Sequence, residues 1–293
     1  VTISNRVRVG FYNIEMFTDG IKDGKNRSEE KSQRQAQGAA RIIEEFHPDI
    51  LFVSEIENRR TLGSLNSCLG VPFPLAYIAE FGSESGRNEK MNIALLTRVA
   101  PVSVTEIDFG PLKGQGRPTR GVVRAEFEMG EKHSLLAYAV HLKANWGDRE
   151  RNYAQRVNAM SIVRDDVRAW SEARPDSTWE MLVVGDMNTD PMMVDLKDDP
   201  TLKVLEDWID LWGEHLDISD MHTIPTRYGD PMREFPAALF DRFLVHPELH
   251  NKPWHVSLPS VIMKGTETRD ITVLPGEGDH VSDHYPIYVD ILK

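Results

Sequence analysis

The chain has 293 residues, 40% hydrophobic and 27% charged, with a formal net charge of −12. This is the composition of a soluble globular protein, and the length predicts one folded unit over residues 1–293. It excludes a membrane-spanning helix, since no apolar run approaches the roughly 20 residues a bilayer needs. It also argues against tight nonspecific binding of a polyanion unless metal ions or local basic residues offset the acidic field.

Short apolar or alternating runs predict strands at Val7–Tyr12, Ile50–Val53, Ile93–Leu96, Val122–Phe127, Leu135–Val140, Leu182–Val184, Phe243–Val245 and Ile287–Ile291. Helical spacing predicts helices over Ser28–Phe46, stopped by His47-Pro48, and over Arg149–Trp170. Trp208–Leu211 is a candidate start for a shorter helix, while Pro200 interrupts Val194–Leu205. Strands alternate with helices but several also follow one another directly, so a layered α/β arrangement with packed sheets fits better than a purely parallel sheet. Thr18–Lys31, charged with both signs, reads as a loop. The lone Cys68 excludes an internal disulfide and reads as a small core residue. A chain beginning at Val1 fits removal of a leader or tag, so a soluble protein of the cytoplasm or of the secreted fraction is expected, and a monomer.

Six polar clusters each lie at the end of an apolar run, where strands display chemical groups. Asn13-Ile14-Glu15 offers hard oxygen ligands, although alone it also reads as an Asn-initiated turn. Glu55 stands where its strand leaves the core, and Glu57 would share its face if the strand continued. His141 and Lys143, in H-L-K-A-N with Asn145, share a face by strand parity and suit a developing negative charge; a partly buried strand-end His is the alternative. Gly185-Asp186-Met187-Asn188 joins an acid able to polarise water to an amide, or forms an Asx turn. Asp241 precedes the strand R-F-L-V, and a buried Asp needs a partner, for which His284 of S-D-H-Y-P is the natural choice; Asp283 beside it is a metal candidate. The alternatives are a turn-capping Asp and a polar turn before the last strand. Lys113–Arg120 is a local basic loop that would bring Arg117 or Arg120 to a phosphate. His222–Phe235, with Arg227, Tyr228 and Arg233, is a second candidate wall able to stack on a base or ring.

In order, N-x-E, S-E, H-L-K, G-D-x-N, D-R-F-L-V and S-D-H-x-P resemble the signature series of the endonuclease/exonuclease/phosphatase superfamily, from Asn13 to Pro286. The resemblance implies a four-layer α/β sandwich with two central mixed β-sheets flanked by helices, and the motifs meeting at one edge. It implies metal binding by Asn13, Glu55 and Asp283, with Mg²⁺ or Mn²⁺ expected and Ca²⁺ possible. It assigns water and phosphate positioning to Asp186 and Asn188, a leaving-group role to His141, and a terminal pair to Asp241 and His284. The binding candidates are Lys143, Asn145, Arg117 and Arg120. Two departures stand out: Glu15 where some branches carry Asp, and Arg242 where many relatives carry Tyr or His. The expected reaction is in-line attack of activated water on phosphorus, with a nucleic-acid phosphodiester as substrate. The alternatives are a phosphatase or phosphodiesterase for a small or lipid-linked ester, favoured by the acidic surface, and an inactive binding module on the same fold.

Overall fold

The structure, a computed structural model, describes residues 3, 5–23, 27–79, 91–109, 116–118, 120–130, 133–214, 221–230, 233–250, 253–266 and 270–293. Period-two alternation builds it. In β1 (Arg6–Phe17) Val7, Val9 and Phe11 join one core, while Tyr12 and Ile14 join another. The same split divides Ile50 and Phe52 from Leu51 and Val53 in β2 (Ile50–Ile56), and Leu135, Ala137 and Ala139 from Leu136, Tyr138 and Val140 of the strand His133–His141. Successive strand residues point to opposite faces, so a fully apolar run is buried on both sides.

Among the described residues three α-helices cover the outer faces. The first, α1 (Glu29–Phe46), is capped by Ser28, whose side chain accepts from Lys31 N–H, and with α2 (Arg59–Cys68) it packs on the outer face of the first sheet. On the second sheet lies α3 (Arg149–Glu172), capped by Asp148. The layers are therefore helix, sheet, sheet, helix, with the largest core between the sheets. The α2 helix was not expected: its stretch is short and rich in Ser, Asn and Gly, and it is held by the Asn58 cap and by Leu62 and Leu65 packed on its neighbours.

The remaining strands are β3 (Leu75–Ala79), β4 (Asn92–Thr97), β5 (Ser103–Ile107), β6 (Val122–Gly130), β7 (His133–His141), β8 (Thr178–Asp186), β9 (Ile209–Asp210), β10 (Arg227–Asp230), β11 (Arg233–Phe235), β12 (Asp241–Val245), β13 (His255–Val256), β14 (Ser260–Val261) and β15 (Ile287–Leu292). One sheet has the order β13-β15-β1-β2-β4-β3, with β14 also on β15; the other has the order β5-β6-β7-β8-β12-β9. Where a helix start was expected at Trp208, the chain instead forms β9, an edge strand paired with β12, and then a short 3₁₀ turn over Leu211–Glu214.

Direction explains why the polar clusters meet. β1 and β2 run parallel, as do β7 and β8, so all four carry their motifs at C-terminal ends. β12 runs antiparallel to β8, and β15 antiparallel to β1, so their motifs stand at N-terminal ends. All six ends reach the same edge of the sandwich.

Candidate active site

Strand geometry is broken where the first acids are presented. Between β1 and β2 the register shifts after Asn13, and between β2 and β4 it shifts after Val53. At these bulges Met16 (φ 44°) and Glu55 (φ 65°) adopt left-handed backbone. Such a conformation costs a non-glycine residue on the order of 1 kcal/mol or more and persists only where its surroundings impose it. The bulge turns Glu55 inward, where Oε2 accepts from Met16 N–H at 2.7 Å and Oε1 lies 3.3 Å from Asn13 Nδ2. It also breaks the parity expected to put Glu57 on the same face. Glu57 accepts from Asp19 N–H instead and groups with Asp19 and Asp23.

Asp186 ends β8, and Asp241 lies opposite it in the ladder. On the other side of β8, Gly185 allows a close approach to β7, since a Cβ there would lie 1.9 Å from the Val140 carbonyl oxygen. His284 Nδ1 meets Asp241 Oδ2 at 2.7 Å, and its Nε2 lies 3.7 Å from Asp186 Oδ2. His141 Nε2 lies 3.6 Å from both Glu55 Oε1 and Asp186 Oδ2. Asn13 Nδ2 reaches Asp186 Oδ2 at 3.1 Å. Asn188, also left-handed (φ 50°), donates its N–H to Asp186 Oδ1 at 2.8 Å, so the Asx turn is present and builds the site. Ser282 ties the halves together: its Oγ donates to the Asn13 carbonyl at 2.7 Å and accepts from the Glu15 and His284 N–H groups. Asn13, Glu55, His141, Asp186, Asn188, Asp241, Asp283 and His284 thus converge.

The two histidines are opposed in charge. Burial, reinforced by Arg120 and His284, drives the His141 pKa well below its ordinary value, so it is neutral. Burial alone would also lower His284, but Asp241 and Asp186 outweigh it and hold an imidazolium. Burial pushes the Asp186 carboxyl up, and that of Glu55 as well, the latter helped by Asp283.

Oxygen donors at this centre suit a hard divalent cation. The nearby carboxylates are Glu55 and Asp186, Asn13 Oδ1 is buried without a partner, and Asp186, Asp241 and His284 offer ligand atoms within 4.8 Å of one another. Because Asp241 is already committed to His284, Glu55 and Asn13 fit a cation better than that trio does. A half-turn of the Asn13 amide brings Oδ1 toward the carboxylates, which a cation between them would select.

Other expected residues lie further out. Lys143 stands beyond the end of β7, where strand parity no longer applies, and its ammonium donates to the Ala144 and Trp146 carbonyls. Asn145 donates to the Asn188 carbonyl and accepts from Arg156 Nη1, so its amide braces the loop. Arg156, fully buried, also grips Asp199 and the Lys143 carbonyl. Arg117 lies over the Phe109 ring, and Arg120 donates to the Leu142 carbonyl beside His141, while 113–115 and 119 of the basic loop lie outside the described residues. Arg242 faces away from Asp241 and binds Asp190 and Asp210, which makes this departure structural.

Sequence reading missed His280, which meets Glu15 Oε2 at 3.1 Å, and Arg27, whose charge acts on Glu15 and Glu55. The G-E-G-D-H segment carried no strand signal, and Arg27 sat in an unpatterned charged stretch.

A model of the Endonuclease/Exonuclease/phosphatase family matches residues 10–284. The chain belongs to this family. Its members are phosphoesterases dependent on divalent cations, and this chain is a phosphoesterase. Three solved structures similar to this endonuclease/exonuclease/phosphatase chain illustrate the range. Truncated TDP2 of Caenorhabditis elegans is 20% identical over 98% of both chains, with a TM-score of 0.61. TDP2 of D. rerio complexed with a single-strand DNA product is 15% identical over 98% of this chain and 99% of that one, with a TM-score of 0.63. The mannosyl-6-phosphatase Bt3783 of Bacteroides thetaiotaomicron VPI-5482 is 16% identical over 98% of this chain and 100% of that one, with a TM-score of 0.65. At these identities the likeness establishes the fold and leaves the substrate open. A comparison with curated proteins gives no significant match.

Proposed function

We propose that this phosphoesterase hydrolyses nucleic-acid phosphodiesters. The observation that carries the substrate class is an exposed tryptophan paired with a half-buried phenylalanine. Trp146, 70% exposed, meets the Phe235 ring with centroids 6.3 Å apart, and it directly follows Asn145, which braces Asn188. An exposed Trp beside a phosphoester site provides a face on which a base stacks, worth roughly 1–3 kcal/mol per base. The arginines Arg27 and Arg120, whose charges reach Glu55, offset the −12 net charge where a phosphate would enter.

In this reading Asp186, whose carboxyl burial has made more basic, takes the proton of the attacking water. His284, held as imidazolium by Asp241, donates Nε2–H to a phosphoryl oxygen. The neutral His141 keeps its proton on Nε2, facing the carboxylates, and donates toward the leaving oxygen. A divalent cation at Glu55 and Asn13 would neutralise charge on the phosphate.

The acidic surface favours a second reading, a phosphatase of a small phosphate ester. The test is metal-dependent release from single- and double-stranded DNA, RNA, bis-p-nitrophenyl phosphate and sugar-phosphate monoesters. Cleavage of polynucleotides is expected; turnover confined to monoesters would select the second reading.

A further inference from the structure

Among the described residues three arginines are buried, and two of them use every nitrogen. Arg156 binds Thr201, the Lys143 carbonyl, Asn145 and Asp199, and Arg242 binds the Thr189 carbonyl, Asp210 and Asp190. Arg227, on β10 and 7% exposed, differs. Among the described residues its Nη1 donates to Asp283 Oδ2 at 2.9 Å, but Nε and Nη2 are buried and meet no hydrogen-bond partner.

Those two nitrogens form one edge of the guanidinium, whose parallel N–H bonds match two oxygens of a carboxylate or phosphate. Arg8 shows the edge filled: its Nε and Nη2 bind Asp290 Oδ1 and Oδ2 at 2.8 and 2.9 Å. Leaving such donors unmet typically costs about 1–3 kcal/mol each, and more on a charged group. Folding alone has no use for that arrangement. The guanidinium is joined to the reaction centre through Asp283, which accepts from Nη1 on Oδ2 and places Oδ1 3.9 Å from His284 Nε2.

We propose that the Nε/Nη2 edge of Arg227 is an oxyanion subsite that receives two oxygens of the substrate's phosphoryl group, with Asp283 aiming the guanidinium. The proposal rests on the phosphoesterase reading of the site.

Inorganic phosphate is the probe, titrated into the full chain in saturating Mg²⁺. Arg227→Lys keeps the charge and the reach to Asp283 but loses the fork, and it should weaken phosphate binding about tenfold or more, the worth of one charge-assisted hydrogen bond. Its Mn²⁺ affinity should stay within about twofold of wild type. Unchanged phosphate affinity would overturn the subsite. A second readout needs no substitution: the Arg227 Nε–H NMR resonance should move as phosphate is added, while that of Arg8 stays. A stationary Arg227 signal overturns the subsite, whatever the variant's folding. Hydrolysis by wild-type protein alongside that stationary signal would overturn the subsite alone. Phosphate on the fork of a chain that cleaves no ester would support the subsite and overturn the reading on which it rests.

Discussion

Asp241 and Asp186 face each other across the β8–β12 ladder, and His284 reaches between them, 2.7 Å from the first and 3.7 Å from the second. Two carboxylates at that spacing cannot share a buried volume without positive charge, and the imidazolium supplies it. This makes Asp241 and His284 a unit whose losses are not additive. His284→Ala should lower turnover at least about a hundredfold. Asp241→Asn should also lower it, and the double variant should be little worse than His284→Ala. Turnover and melting temperature measured on the same preparations decide this. Folded single variants with normal rates, or fully multiplicative losses, would reject the dyad.

Metal removal is the second test. Exhaustive EDTA treatment should abolish hydrolysis, and Mg²⁺ or Mn²⁺ should restore it. Because burial and Asp283 both disfavour the Glu55 carboxylate, Glu55→Gln should leave the metal-free protein at least as stable as wild type. The metal concentration for half-maximal rate should rise about tenfold or more, one lost charged ligand being worth at least ~1.4 kcal/mol. Activity that persists in metal-free protein would sink this assignment.

Trp146→Ala separates the two substrate readings. If the Trp146–Phe235 pair stacks on a base, KM for single-stranded DNA should rise about tenfold. Hydrolysis of bis-p-nitrophenyl phosphate, reporting on the reaction centre, should change less than about twofold. Equal effects on both substrates would remove the stacking role.

At the opposite end of β8, Glu180 is buried against His133 Nε2 at 3.1 Å, and burial, with Glu248 adding to it, pushes its carboxyl up to about 8. The folded protein therefore holds a proton that the unfolded chain releases at the ordinary value of 4.5. The contribution of Glu180 to stability falls as pH rises from 4.5 to about 8, and then levels off. His133, lowered by burial, acts in the opposite sense only below its ordinary 6.5. Glu180→Gln should flatten the decline, so its melting temperature should gain on wild type by several degrees between pH 5 and 8. Parallel curves for the two proteins would show that Glu180 stays ionised when folded.

Much of this protein was legible in its sequence, because side-chain periodicity is local. The eight expected strands and both long helices follow from alternation and from caps such as Ser28, which depend only on near neighbours. The polar residues at the strand ends were legible for the same reason: an Asp, Glu or His where an apolar run stops is visible without knowing what lies opposite. Tertiary structure alone decided which of them meet. A bulge of one residue reverses parity, so Glu55 turns into the centre and Glu57 turns to Asp19. Lys143 and Asn145 ended on carbonyls of the surrounding loops, since their fate depended on Arg156 and Asn188, remote in sequence. Arg242 and Arg227 parted for a reason no pattern encodes: among the described residues, Arg242 finds a carbonyl and two carboxylates for its whole guanidinium, and Arg227 finds a hydrogen-bond partner for Nη1 alone, Asp283.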